Sequence, residues 1–191
     1  MTGVLARIRA VATALLLGAA PALAGQGGFT ANDVDFLNMM GNLEGPRGFG
    51  TVSDFVRTAP PAEIDEMRIG DVLSWQRAIR ARGVQSSAVG RYQFIYATLA
   101  ETVEDHGISP DMVFDGEVQT FLARLLMDAC GFYAPDTPID ALGNCLAGRW
   151  AALPRLAGPG AGRSAYHGDG LNHHLVSVET FRNVLQNRFL W

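Results

Sequence analysis

Asn42-Leu43-Glu44-Gly45-Pro46 leaves one carboxylate where an apolar helix should stop. Upstream, Phe36, Met39, Met40 and Leu43 recur at helical spacing, and Thr30 with Asp33 three residues on resembles a capping box that would start the helix. Glycine tolerates a left-handed cap at position 45. Pro46 disfavours helical geometry in the residue before it and cannot itself extend the helix. A carboxylate in the last turn lies at the negative end of the helix dipole, and Leu43 and Phe49 limit its hydration. Both effects favour the protonated form. Such an acid can protonate a leaving sugar oxygen near neutral pH, which is what glycoside cleavage requires. A solvated glutamate at a frayed helix end is the plain alternative, because shifted carboxylates mark sites only statistically.

Other residues could complete that chemistry. Hydrolysis by the usual glycosidase schemes needs a second carboxylate, and Asp54, on the glycine-rich segment that follows Glu44, is the best-placed candidate. Ser53-Asp54 is also ordinary turn chemistry. Ser86 to Phe94 leads into a predicted helix with Tyr92, Ile95, Leu99 and Val103 at core spacing, so Tyr92 and Gln93 should project from its first turn. A donor, an acceptor and an aromatic face would meet a sugar there, unless Tyr92 is core and Gln93 solvent. Gly90 permits close backbone approach at the helix entry. Trp150 is a weaker substrate contact, since a lone tryptophan is more often core.

A different chemistry is suggested by His167, Asp169, His173 and His174, which gather three of the 4 histidines in one short stretch. A metal-dependent wall peptidase would use such groups. Their spacing matches no zinc motif, however, and a glycine-rich loop holds ligands poorly, so no metal and no cofactor is expected.

The elements that must position these residues are mostly helices. After Pro60-Pro61, a short helical turn is expected over 62–67, then a helix over 71–82 with Val72, Trp75, Gln76 and Ile79 on one face and arginines mostly on the solvated other. Asp115 should cap a helix running to Cys130, with Val118, Phe121, Leu122, Leu125 and Leu126 inward. Thr137-Pro138-Ile139-Asp140 should start another, carrying Leu142, Cys145 and Leu146. Residues 155–170 read as a mobile glycine loop, and a last helix is expected over 178–189. The expected fold class is mainly α, a helical domain with one small irregular or β lobe.

Arg7 and Arg9 precede an apolar run from Ala10 to Ala20, and Ala22-Leu23-Ala24 offers a cleavage site. Residues 1–24 therefore read as a secretory signal and 25–191 as one domain, exported to a bacterial periplasm or secreted, with no membrane insertion after cleavage. Every cation is arginine. Without Arg7 and Arg9 the 15 basic residues become 13 against 19 acidic, a formal charge of −6. That balance argues against nucleic acid, whose binding needs a basic face. Cys130 and Cys145 are the 2 cysteines, and an oxidising compartment favours a disulfide between them over two buried thiols.

With these residues in place the chain resembles the lysozyme-like superfamily, and more closely the phage lambda type of endolysin, a lytic transglycosylase. The helix ending in Glu44-Gly45 is similar to the family's opening helix, whose glutamate is its catalytic carboxylate. Ala88-Val89-Gly90-Arg91-Tyr92-Gln93 is similar to its Ala-Gly-Arg-Tyr-Gln entry to the next cleft helix, and Trp150-Ala151-Ala152-Leu153-Pro154 to its Trp-Ala-x-Leu-Pro segment. The resemblance implies two lobes with a saccharide groove between them, peptidoglycan glycan strands as partner, and cleavage of the β-1,4 bond between N-acetylmuramic acid and N-acetylglucosamine by Glu44 alone. The expected substrate contacts, Trp150 the weakest of them, are Tyr92, Gln93 and Trp150. The leader and a longer glycine-rich segment after Arg155 depart from the family pattern, and Tyr166 falls in that segment as a further cleft candidate. A muramidase using Glu44 with Asp54, or a non-catalytic wall-binding protein, are the rival expectations.

Overall fold

The structure is a computed structural model that describes residues 31–190. The leader expected over 1–24, the start near Gly25, and Thr30 of the expected capping box lie outside the described residues. Among the described residues the architecture is mainly helical, with α1 Val34–Glu44, α2 Ile69–Ala81, α3 Tyr96–Asp105, α4 Gly116–Asp128, α5 Ile139–Arg149 and α6 Val178–Gln186. Short 3₁₀ turns occupy Ile64–Glu66 and Asn187–Phe189.

Apolar periodicity accounts for these elements. Val72, Trp75, Gln76 and Ile79 of α2 are buried, as are Val118, Phe121, Leu122, Leu125 and Leu126 of α4. Each large apolar side chain so withdrawn contributes about 1.5–3 kcal/mol. Asp115 caps α4 by accepting the Val118 N–H, and Ser177 caps α6 by accepting that of Thr180. At the centre, Phe36 of α1 meets Phe132, Trp150 and Phe181 with ring centroids 5.4, 5.8 and 6.4 Å away. Those contacts bring the segment after α4, the end of α5 and the middle of α6 onto the helix that carries Glu44. The disulfide Cys130–Cys145 then joins the segment after α4 to α5, with Cα atoms 5.5 Å apart across a separation of 15. Closing that loop stabilises the fold by about 3 kcal/mol on chain-entropy grounds.

Several local expectations are corrected. Asp33 stands just before α1, not in its first turn as the expected box requires. It flanks α1, makes no cap bond, and is 4% exposed. Its carboxylate takes Arg124 Nε at 2.6 Å and the Tyr133 hydroxyl at 2.8 Å, because a buried charge has to be paired and hydrogen-bonded. Gly45 is not left-handed, with φ −129°. Helix α5 begins one residue later than the Thr137-Pro138 pattern predicts, with Pro138 in the flanking position. Pairing around the glycine-rich 47–58 segment is confined to isolated bridges, Val52 to Val89 and Val89 to Phe94, and no sheet forms among the described residues. Residues 155–170, expected as a loop, fold back on themselves through bridges from Pro154 to Ser164 and Arg155 to Ala161.

Candidate functional site

Three distant stretches meet at the end of α1. Gly45 packs on the backbone of Arg91, where an added Cβ would lie 2.5 Å from the carbonyl oxygen and 2.6 Å from Cα. Close approach, not a left-handed cap, is why glycine follows Glu44. One turn earlier Gly41 faces the Arg91 guanidinium, and a Cβ there would collide with it.

Arg91 sits in a tight turn, not in a helix. Val89 and Phe94 exchange backbone hydrogen bonds of 3.1 and 2.8 Å, and the chain between them reverses with Gly90 at φ 78° and Gln93 at φ 49°. Tyr92 and Gln93 therefore precede α3 instead of forming its first turn, and Ile95 is exposed instead of core. A non-glycine residue in left-handed geometry is strained, and such strain clusters at functional sites. The Gln93 amide steadies it by donating to Gly90 O at 2.9 Å.

Two buried glutamines hold this hairpin. Gln76 Nε2 donates to Ser87 O and Phe94 O at 2.7 and 2.8 Å. Gln119 Oε1 accepts the Arg91 N–H at 2.9 Å, while its Nε2 donates to Phe49 O and Phe114 O at 3.1 and 2.8 Å. The third stretch closes the ring. Trp150 Nε1 donates to Tyr92 O at 3.0 Å, and the Ala152 N–H donates to Glu44 Oε1 at 3.4 Å.

Glu44 keeps an opening to solvent, yet protein atoms crowd most directions around its carboxyl. Desolvation by that burial raises its pKa from 4.5 to about 7, against the opposing pull of the Ala152 hydrogen bond. At neutral pH this carboxyl is therefore divided between acid and base forms.

Glu44 opens on a depression of about 590 Å³ that is also lined by Asp54, Tyr92, Gln93, Trp150 and Tyr166. Their situations differ. Tyr92 is buried, and its hydroxyl meets Thr120 Oγ1 at 3.3 Å. Trp150 is also buried, so both contribute to the wall chiefly by their packing. Tyr166 is 43% exposed, with its hydroxyl donating to Gly148 O at 2.6 Å. Asp54 stands on the rim, its side chain 84% exposed and its Oδ1 bonded to Arg47 at 3.0 Å. His167, His173 and His174 are exposed. The Asp169 carboxylate accepts from Leu171 N, Asn172 N and Asn172 Nδ2, which organises its own loop. Among the described residues no three His, Cys, Asp or Glu side chains gather as a metal site.

Sequence reasoning missed Gln119 and the Ala152 amide. A glutamine inside the apolar face of α4 was a readable signal for the first. A backbone amide has no signature at all. Comparison with protein-family models, with curated proteins and with solved structures returned no match, so the site has to be read from its own geometry.

Proposed function

We propose that the protein is an exported lytic transglycosylase with a lysozyme-like arrangement, cleaving the β-1,4 bond between N-acetylmuramic acid and N-acetylglucosamine in peptidoglycan. The observation that carries this reading is a half-buried Glu44 with a pKa near 7, hydrogen-bonded to Ala152 and open to a groove-sized depression. An acid matched to ambient pH gives the best compromise between protonated fraction and proton-donating power.

In the proposed mechanism Glu44 donates its proton to the glycosidic oxygen as the bond from that oxygen to C1 of the muramic sugar breaks, and positive charge develops on the ring. The ionised Glu44 then takes the proton of the C6 hydroxyl, whose oxygen closes on C1. The products are a 1,6-anhydro sugar and a new chain end, with Glu44 protonated again. One carboxylate completes the cycle. Hydrolysis needs a second, and Asp54 is the candidate because it lines the same depression, although Arg47 engages it. Gln93 and the exposed ring of Tyr166 are the substrate contacts, with Tyr92 and Trp150 building the wall behind them.

Incubating purified peptidoglycan with the protein and with Glu44→Gln tests the assignment. Soluble fragments from the parent but not the variant support it, and equal release by both contradicts it.

A further inference from the structure

Arg77 and Arg80 stand one turn apart on α2 and converge on the ring of Tyr96, the first residue of α3. Arg80 Cζ is 4.8 Å and Arg77 Cζ 5.5 Å from its centroid. Arg77 also donates from Nε and Nη2 to the Tyr96 hydroxyl at 3.1 and 2.9 Å. These are not simply solvated charges, as helical periodicity predicts for them. Among the described residues neither guanidinium pairs with a carboxylate. Two cations sharing one ring repel each other, and the cation–π attraction fixes them without neutralising them. Such a cluster leaves its positive charge available to an anion.

The donor geometry suits a carboxylate. A guanidinium offers a planar fork that matches two carboxylate oxygens, and no hydrogen bond to a protein acceptor occupies Arg80 among the described residues. The Tyr96 hydroxyl accepts from Arg77 and so keeps its own proton for another acceptor. Arg80 and Tyr96 line the same depression as Glu44, so an anion held there belongs to the molecule presented to Glu44. The sugar backbone of a wall glycan is uncharged, whereas the peptide stem on its lactyl group carries carboxylates.

We propose that Arg77, Arg80 and Tyr96 form a subsite for a carboxylate of the peptide stem, an inference that rests on the glycosidase reading of Glu44. Binding is measured with peptide-bearing glycan fragments and with peptide-stripped ones whose freed lactyl carboxyl is amidated, in the Glu44→Gln background where the fragments stay whole. Cleavage of both by the parent is followed alongside. The expected result is that Arg80→Gln reduces the preference for peptide-bearing fragments, as a ratio of Kd values, about fivefold, as befits an exposed ion pair. Added salt should erode the same preference, and Arg80→Lys should retain part of it. An unchanged ratio in both Arg77→Gln and Arg80→Gln overturns the subsite. If the parent cuts both fragments while that ratio stays unchanged, the subsite alone fails. If Arg80-dependent preference is found without cleavage, the glycosidase reading alone fails. Absence of binding to either fragment sinks both.

Discussion

The Ala152 N–H and Glu44 Oε1 lie 3.4 Å apart, joining residues 108 positions distant in the chain. At that length the bond is weak, which is why burial outweighs it and the carboxyl stays easily protonated. The contact orients Glu44 without forcing it to ionise.

Activity should follow the protonated fraction of Glu44. With its pKa near 7, kcat/KM should be flat on the acid side and fall about tenfold per pH unit well above neutrality. A pH–rate profile checks this. An additional decline on the acid side would mark a required ionised carboxylate and shift the reading toward hydrolysis with Asp54.

Stability should show the same ionisation. The folded state raises the Glu44 pKa from 4.5 to about 7, so between these values the native state binds more protons than the unfolded state and stability falls as pH rises. The favourable contribution is complete below the unfolded value and lost above the folded one. Glu44→Gln should therefore match the parent near pH 4 and exceed it at pH 8 by on the order of 3 kcal/mol. Denaturant titrations at the two pH values measure the difference, and a constant gap would contradict burial as the cause.

Gln119→Leu should damage the site from a distance. It leaves the Arg91 N–H and the carbonyls of Phe49 and Phe114 without their partner, at a cost of about 2–4 kcal/mol. Because the turn it releases packs on Gly45, activity at a temperature where the variant remains folded should drop at least about tenfold. Chemical denaturation with rate measurement separates the two effects. Full activity in a destabilised variant would show that the turn does not position Glu44.

The contrast between local and distant causes explains what could be read from sequence. The end of α1 at Glu44, the Asp115 cap and the apolar faces of α2 and α4 were legible because helical spacing and a cap residue are local signals. The disulfide was legible because two cysteines allow one intramolecular pairing. Tyr92 and Gln93 were misplaced into a helix because the glutamines that hold their turn lie on other elements, Gln119 being 28 residues beyond Arg91. Asp33 read as a capping residue because its partner Arg124 lies 91 residues away. The rim cluster of Arg77, Arg80 and Tyr96 was hidden for the same reason, since spacing along α2 says nothing of the ring that α3 presents.

Mass analysis of the soluble products from purified peptidoglycan tests the central claim most directly. The account predicts muropeptides ending in 1,6-anhydro-muramic acid from the parent protein and none from Glu44→Gln. Reducing-end muropeptides, or anhydro products that persist in Glu44→Gln, would contradict it.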